Sequence, residues 1–156
     1  MHIVPDILGK QALSTSSRFA VAVHILTLLA SSAEPMPSSL IAGSVGTNPA
    51  LIRRLVGQLA EAGLVTTTMG STGGATLARP AASITLLDVF RVVETTALIT
   101  LHQSAPNPAC AVGREITGAL RKVADHAQAA MDDALAGITI ASMLADVEGA
   151  TQRRKR

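Results

Sequence analysis

Residues 37–80 read PSSLIAGSVGTNPALIRRLVGQLAEAGLVTTTMGSTGGATLARP, and this stretch contains the most clearly bounded helix of the chain. The helix begins after Thr47 and Asn48, because either side chain can accept a hydrogen bond from the free N–H groups of a first turn. Pro49 supplies the backbone angle that suits a first helical position. The helix ends at Gly63, a residue suited to the left-handed conformation that follows a last turn.

This helix has one apolar face and one small, polar and cationic face. The apolar positions recur at the spacing of a single helix face and therefore need a core: Ile52, Leu55, Val56 and Leu59. The opposite face holds Ala50, Arg54, Gly57, Gln58 and Glu61, with Arg53 on its flank. Such a surface can enter a DNA major groove, where arginine binds guanine edges or phosphates. An ordinary amphipathic helix with solvated arginines has the same pattern, so the neighbouring sequence must decide.

The neighbouring sequence indicates a helix-turn-helix followed by a hairpin. Ser38 can cap a short helix over residues 39–45, and Gly46 with Thr47 gives a tight turn before the second helix. Residues 64–69 are rich in β-branched side chains, residues 70–74 can only be a turn, and residues 75–79 can return as a partner strand. We therefore predict a mainly α fold, a winged helix-turn-helix with a two-stranded β wing.

Sequence blocks on both sides of this segment carry a family resemblance. They are residues 16–26 (SSRFAVAVHIL), 47–49 (TNP), 53–55 (RRL), 58–59 (QL), 62–65 (AGLV), 73–74 (GG), 77–80 (LARP), 84–89 (ITLLDV) and 93–94 (VE). In this order, over about residues 16–145, the chain resembles the Rrf2 family of bacterial transcriptional regulators. The resemblance implies a homodimer whose winged domains bind a roughly palindromic operator in double-stranded DNA, and a sensor region after the fourth helix.

We predict DNA contacts from three parts of the winged domain. At the start of the first helix, Ser16, Ser17 and Arg18 should hold phosphates, because helix amino ends donate N–H groups to anions. The helix-turn-helix contributes Ser38, Asn48, Ala50, Arg53, Arg54 and Gln58. The wing tip, comprising Ser71, Thr72, Gly73 and Gly74, is placed to lie along the adjacent phosphate backbone.

The cysteine content departs from the best-known members of the family. Those members hold an iron–sulfur cluster with three closely spaced cysteines, whereas this chain contains only Cys110. A cluster needs several thiolate ligands, so we predict none, and residues 106–113 (PNPACAVG) resemble the cluster-free branch of the family. We also predict no metal site, since His102 and Cys110 would supply only two ligands. Cys110 is then either an inert small residue or a redox sensor, because a helix amino end and Arg114 nearby favour the thiolate.

The second half of the chain predicts a long dimerisation helix. Residues 97–113 contain two prolines and read as an irregular sensor loop, and a helical pattern follows up to about Ala136. Its heptad-like seam consists of Ile116, Leu120, Val123, Ala127, Ala130 and Ala134. A helix this long has too little of its own chain to cover it, which favours self-association over packing within one subunit. Before it, Thr85 and Asp88 can form a capping box, and after it Gly137 ends the helix and Thr139 can cap a short one over residues 140–146.

The predicted organisation has five parts. They are a flexible leader (1–13), the winged domain (14–96), the sensor loop (97–113), the dimerisation helix with a short terminal helix (114–148) and a basic tail (149–156). Residues 10–33 also resemble a secretory signal, with Lys10 and Arg18 before an apolar run and Ser31-Ser32-Ala33 after it. The same residues fit the first helix of the winged domain better, and the run is shorter than the ~20 residues that span a bilayer. We therefore predict no membrane partner.

Charge and motif content exclude other classes of protein. The formal net charge is +2, a mild balance that leaves DNA affinity to two copies acting together. The histidines His2, His24, His102 and His126 are widely separated, and no catalytic triad order, phosphate-binding loop or metalloprotease motif occurs, so we predict no enzyme. A single cysteine agrees with a reducing cytoplasm. The remaining alternative is a winged-fold regulator that works mainly by binding another protein.

Overall fold

The computed structural model describes residues 17–156, and their order of elements is that of a winged helix-turn-helix followed by two further helices. The elements are α1 (Arg18–Ala30), α2 (Ser38–Val45), α3 (Pro49–Glu61), β1 (Val65–Thr68), β2 (Gly74–Leu77), a 3₁₀ turn (Ala81–Ser83), α4 (Leu86–Val93), α5 (Ala111–Ala136) and α6 (Ile140–Arg154). The mainly α fold class with a two-stranded wing is confirmed. The predicted leader and Ser16 lie outside the described residues.

The core forms where α1 packs against α2, α3, α4 and α6. The stripe predicted for α3 is confirmed, because Ile52, Leu55, Val56 and Leu59 are all buried. Helix α1 is buried on more than one side, through Ala22, Val23, Ile25, Leu26 and Leu29. The chain's two phenylalanines join α1 to α4, since the rings of Phe19 and Phe90 meet edge to face with centroids 5.6 Å apart. The apolar run that also resembles a secretory signal therefore lies at the centre of the folded domain.

Capping residues at both ends of α3 explain where this helix begins and ends. The side-chain oxygen of Asn48 accepts from the Leu51 N–H at 2.9 Å, Pro49 is the first helical residue, and Gly63 adopts a φ of 74° just after the helix. The cap predicted for α2 is wrong. Pro37 is its N-cap and Ser38 is already helical, because the fixed φ of Pro37, −69°, and its extended ψ of 152° set the chain for a first turn without a side-chain cap.

The wing is a hairpin that is also attached to the segment before α2. Val65 pairs with Leu77, and the register ends at Thr68 opposite Gly74. Met36 exchanges two backbone hydrogen bonds with Ala75, at 3.0 and 2.9 Å, on the other side of β2. Gly74 is required there, because a Cβ atom would clash with the Met36 backbone. Each strand is shorter than its predicted segment, since pairing covers only these four residues of each.

The carboxyl-terminal helices differ in length from the prediction. Helix α5 begins at Ala111 instead of Arg114, and α6 continues to Arg154 instead of ending near Asp146. The predicted basic tail is therefore mostly helical. Helix α6 packs on α1 and extends as far as a last turn that contains Arg153 and Arg154. Gly137 ends α5 as predicted. None of the helices within residues 17–156 combines the length and apolar character needed to cross a bilayer.

Helix α5 has no buried residue along its whole length, although it is the longest helix among residues 17–156. Its contacts with its own subunit run through one side, where Gln128 accepts from the Leu98 N–H at 3.2 Å and Asp132 lies 3.6 Å from Arg91 of α4. The predicted seam is only partly covered. Ile116 and Ala127 are half-buried, Leu120 and Val123 are 36% and 59% exposed, and Ala130 and Ala134 are exposed.

Candidate nucleic-acid interface

The outer face of α3 carries four of the residues predicted to contact DNA. Ala50, Arg53, Arg54 and Gly57 are exposed there, and Gln58 is half-buried. Two depressions flank this face. One lies at the amino end of the helix and the other lies between the helix and the wing.

The first depression, of about 340 Å³, is formed by Asn48, Ala50, Leu51 and Arg54. The side-chain oxygen of Asn48 already caps the helix, so the side-chain NH₂ group of Asn48 is the group that can donate a hydrogen bond to an external acceptor. The small side chain of Ala50 leaves room beside this NH₂ group. A donor amide and a guanidinium therefore meet in one concave patch, the chemistry that recognises acceptor atoms on base edges or phosphates.

The second depression, of about 320 Å³, separates α3 from the wing. Its lining includes the predicted residues Ser38, Arg53 and Gly74, together with Gly57. At the far end of the hairpin, Gly70 adopts a φ of 104° and its carbonyl accepts from the Gly73 N–H at 3.0 Å. This tight turn leaves Ser71 and Thr72 exposed at the tip. The two sides of the groove can contact one nucleic-acid backbone.

Besides the buried Val56 and Ala75, this groove is lined by three exposed residues that were not predicted from the sequence: Thr67, Thr68 and Met69. Met69 is 97% exposed, which is unusual for a large apolar side chain and places it at the outer end of β1. Its position at the end of a run of threonines, just before the glycine turn, could have indicated that it projects from the wing.

The charges of the interface are available for an external anion. Among residues 17–156, neither Arg53 nor Arg54 forms a salt bridge, whereas Arg79, Arg91 and Arg114 each pair with a carboxylate. In the part of the chain that the structure describes, no acidic side chain lines either depression. Within residues 17–156, the α3 arginines thus lack the carboxylate partners that Arg79, Arg91 and Arg114 have.

The start of α1 lies apart from these two depressions. Arg18 Nη2 is 3.6 Å from Glu94 Oε2, at the end of α4, and the Glu94 side chain is only 10% exposed. The other carboxylate oxygen of Glu94 is buried without a hydrogen-bond partner among the described residues. Ser17 is the N-cap of α1 but makes no side-chain cap hydrogen bond. Arg18 therefore has an internal anion that would compete with a phosphate.

The sensor loop ends at Cys110, which is exposed and is the N-cap of α5. The guanidinium of Arg114 donates to the Pro108 carbonyl at 3.4 Å and lies 3.4 Å from Glu115, so its charge is directed to those oxygens. Gly113 must lack a side chain, because a Cβ atom would clash with the Asn107 carbonyl. The redox role of Cys110 stays a prediction.

Comparison with known proteins then identifies the family. The family model Rrf2, described as an iron-dependent transcriptional regulator, matches residues 15–146. This chain belongs to the Rrf2 family of transcriptional regulators. It is 39% identical over 130 residues to YwnA of Bacillus subtilis (strain 168), which bears the name of an HTH-type transcriptional regulator, and the match covers 83% of this chain and 96% of YwnA.

Solved structures share the fold of this Rrf2 protein. One described as a DNA binding protein is 35% identical, with a TM-score of 0.67, and the match covers 82% of this chain and 99% of that one. IscR of T. potens is 26% identical with a TM-score of 0.62, and 92% of each chain is covered. CymR of B. subtilis, titled the global cysteine regulator, matches at 24% identity and a TM-score of 0.63 over 84% of this chain and 95% of its own.

The donor groups of this Rrf2 protein do not fit an iron–sulfur cluster. Cys110 is the only cysteine in the sequence, and it is exposed. Within residues 17–156, no three side chains of the His, Cys, Asp or Glu type converge as metal ligands. A cluster needs about three or four such ligands, mostly thiolates. The described residues therefore do not supply the ligand set of an iron–sulfur cluster.

Proposed function

We propose that this Rrf2 protein is a homodimer that binds a palindromic operator in double-stranded DNA and represses the genes beside it. The observation that carries the proposal is the cluster of donors on α3. Arg53 and Arg54 have no salt-bridge partner among residues 17–156, and the first lies beside the wing groove while the second lies beside Asn48. Guanidinium groups placed this way can bind base edges and phosphates at once.

Dimerisation would follow from the exposed seam of α5. Its own subunit covers the side that carries Gln128 and Asp132, which leaves Leu120 and Val123 in water. Burying these side chains against a second copy would remove apolar surface from water. A two-fold dimer presents two α3 helices, and two such helices read half-sites about one DNA turn apart, roughly 34 Å, when they lie on one face of the duplex.

Repression requires only that the dimer occupy its operator, since a dimer bound over a promoter excludes RNA polymerase. We infer that the protein is not an enzyme, that it works in the cytoplasm where DNA is accessible, and that its activity does not depend on a cluster. The last inference is supported by the single cysteine. The DNA contacts proposed are those predicted above for α3 and the wing tip, with Thr67, Thr68 and Met69 added from the groove.

The proposal is tested by fluorescence anisotropy with a duplex from the region upstream of the protein's own gene and with a scrambled duplex of equal length. We expect binding to the first to be tighter by about a thousandfold or more at physiological salt. Arg121→Ala serves as a matched control for variants of α3, because it removes one exposed arginine outside α3 and outside the seam, and this arginine also has no salt-bridge partner among residues 17–156. Equal affinity for the two duplexes would refute the proposal and favour regulation through another protein.

A further inference from the structure

A pocket of about 470 Å³ lies between α1, α2 and α6, and none of its residues belongs to the DNA interface described above. Helix α1 lines it with Val23 and Leu28, and α6 lines it with Met143, Leu144 and Val147. Pockets of 300–1,000 Å³ with mostly apolar walls are typical of small-molecule sites. The walls here come from three helices that pack on one another, so the shape is set by the fold.

Four polar side chains line the pocket, and those of Thr27 and Ser31 donate to backbone carbonyls of α1, which leaves His24 and Ser44 as its main free polar groups. His24 of α1 and Ser44 of α2 share a hydrogen bond, with Nε2 and Oγ 3.0 Å apart. Each group retains further capacity, since an imidazole has a second ring nitrogen and a hydroxyl both donates and accepts. Thr27, also in the wall, already donates its hydroxyl to the Val23 carbonyl at 2.8 Å. Among residues 17–156, no Asp, Glu, Lys or Arg side chain lines the pocket.

We propose that this pocket binds a small neutral molecule that is mostly apolar and carries one hydrogen-bonding group. The apolar part lies against α6, and the polar group meets the His24–Ser44 pair. A charged ligand is disfavoured, because the walls offer no fixed charge of opposite sign to offset the loss of its hydration. The opening is still in contact with water, as Val147 is 52% exposed, so a ligand can enter without unfolding of the core.

Occupancy would connect two parts of the chain that have different roles. Ser44 lies in the last turn of α2, directly before the turn into α3, whereas Met143 and Leu144 belong to the helix that follows α5. A ligand in contact with both would favour one arrangement of α2 relative to α6. An effect of this ligand on DNA affinity rests on the proposed function, whereas the binding itself does not.

The test uses 2-naphthol, a neutral fluorescent aromatic with one hydroxyl group, and its charged analogue 2-naphthoate. The chain contains no Trp and no Tyr, so naphthol emission can be titrated against the full-length protein with little background. We expect saturable binding of 2-naphthol, and binding of 2-naphthoate weaker by about tenfold or more. Equal binding of the two compounds, or no saturable binding, would overturn the proposal; the latter is also the outcome if a second copy covers the pocket.

Three variants locate the site. Ala20→Phe places a ring at the pocket wall from an exposed position and should abolish binding, whereas Ala33→Phe adds the same ring at an exposed position outside the pocket and should not. Ser44→Ala removes one polar partner and should weaken 2-naphthol binding about three- to tenfold. Thermal unfolding confirms that each variant is folded. If Ala20→Phe binds 2-naphthol as well as the wild type does, the pocket is not the site.

Discussion

Thr85 and Thr139 face each other across an antiparallel backbone bridge, and each of them caps the helix that begins at the next residue. Two backbone hydrogen bonds form this bridge, from Leu86 N–H to the Ile138 carbonyl at 2.8 Å and from Ile140 N–H to the Ile84 carbonyl at 2.9 Å. The amino ends of α4 and α6 are thus fixed side by side. This bridge attaches the segment after α5 to the winged domain.

The first prediction concerns this cap. Thr139→Ala removes the oxygen that accepts from the Ser142 N–H at 3.1 Å and should lower the free energy of unfolding by about 1 kcal/mol. Thr151→Ala is the matched control, because Thr151 is an exposed residue within α6 whose hydroxyl donates only to its own helix, at the Val147 carbonyl. Urea unfolding followed by circular dichroism measures both. An equal loss in the two variants would mean that the cap has no special role.

The second prediction concerns base reading. Arg54→Ala should weaken operator binding by ~1–3 kcal/mol and relax the preference for the operator over mutated half-sites. Arg18→Ala should act differently, lowering the dependence of affinity on salt if the side chain leaves Glu94 for a phosphate. Anisotropy titrations at several salt concentrations distinguish the two. An Arg54→Ala variant that keeps full sequence preference would remove this residue from the reading surface.

The third prediction concerns Gly57, an exposed glycine inside α3. A Cβ atom there would meet nothing within 4 Å, so the fold itself does not need a glycine. Gly57→Ala should therefore raise the free energy of unfolding by roughly 0.5–1 kcal/mol. It should at the same time weaken operator binding, because the position lines the groove where a DNA backbone would approach closely.

The matched control is Gly149→Ala in α6, where a Cβ atom would make only an ordinary contact with Arg153. This variant should gain similar stability and leave operator affinity unchanged. If both variants bind the operator as the wild type does, the close approach of DNA at Gly57 is wrong.

The fourth prediction concerns the seam of α5. Val123→Glu places a charge where a partner helix would exclude water, and should raise the dimer dissociation constant roughly a hundredfold or more. Ala129→Glu introduces the same charge at an exposed position outside the seam and should leave the dimer intact. Sedimentation velocity at micromolar concentration reports the mass of each. A wild type that sediments as one copy would refute the dimer directly.

The sequence predicted well those features that depend on neighbouring residues. The cap of α3 at Asn48 and the capping box of Thr85 with Asp88 are local, and both are present. The hairpin was recognisable for the same reason, because threonines and glycines have strong and opposite backbone preferences.

Features that depend on distant contacts could not be predicted. Helix α6 continues to Arg154, although Gly149 inside it weakens the local helical signal. The pair of Arg18 with Glu94 joins residues far apart in the sequence. The place of Thr67 in the interface depends on how the wing packs beside α3, which no local pattern contains.

The two hydrogen bonds between Met36 and Ala75 limit what the hairpin can do before any encounter with DNA. A hairpin without these two bonds would move relative to the rest of the domain. It would lose that freedom when it bound DNA, at a cost in conformational entropy. Here β2 is hydrogen-bonded to β1 along one edge and to Met36 along the other, which restrains the hairpin relative to the rest of the domain. The winged domain should therefore bind DNA with little change in its own structure. Its preference among DNA sequences then depends on how well each duplex can adapt its shape to the domain.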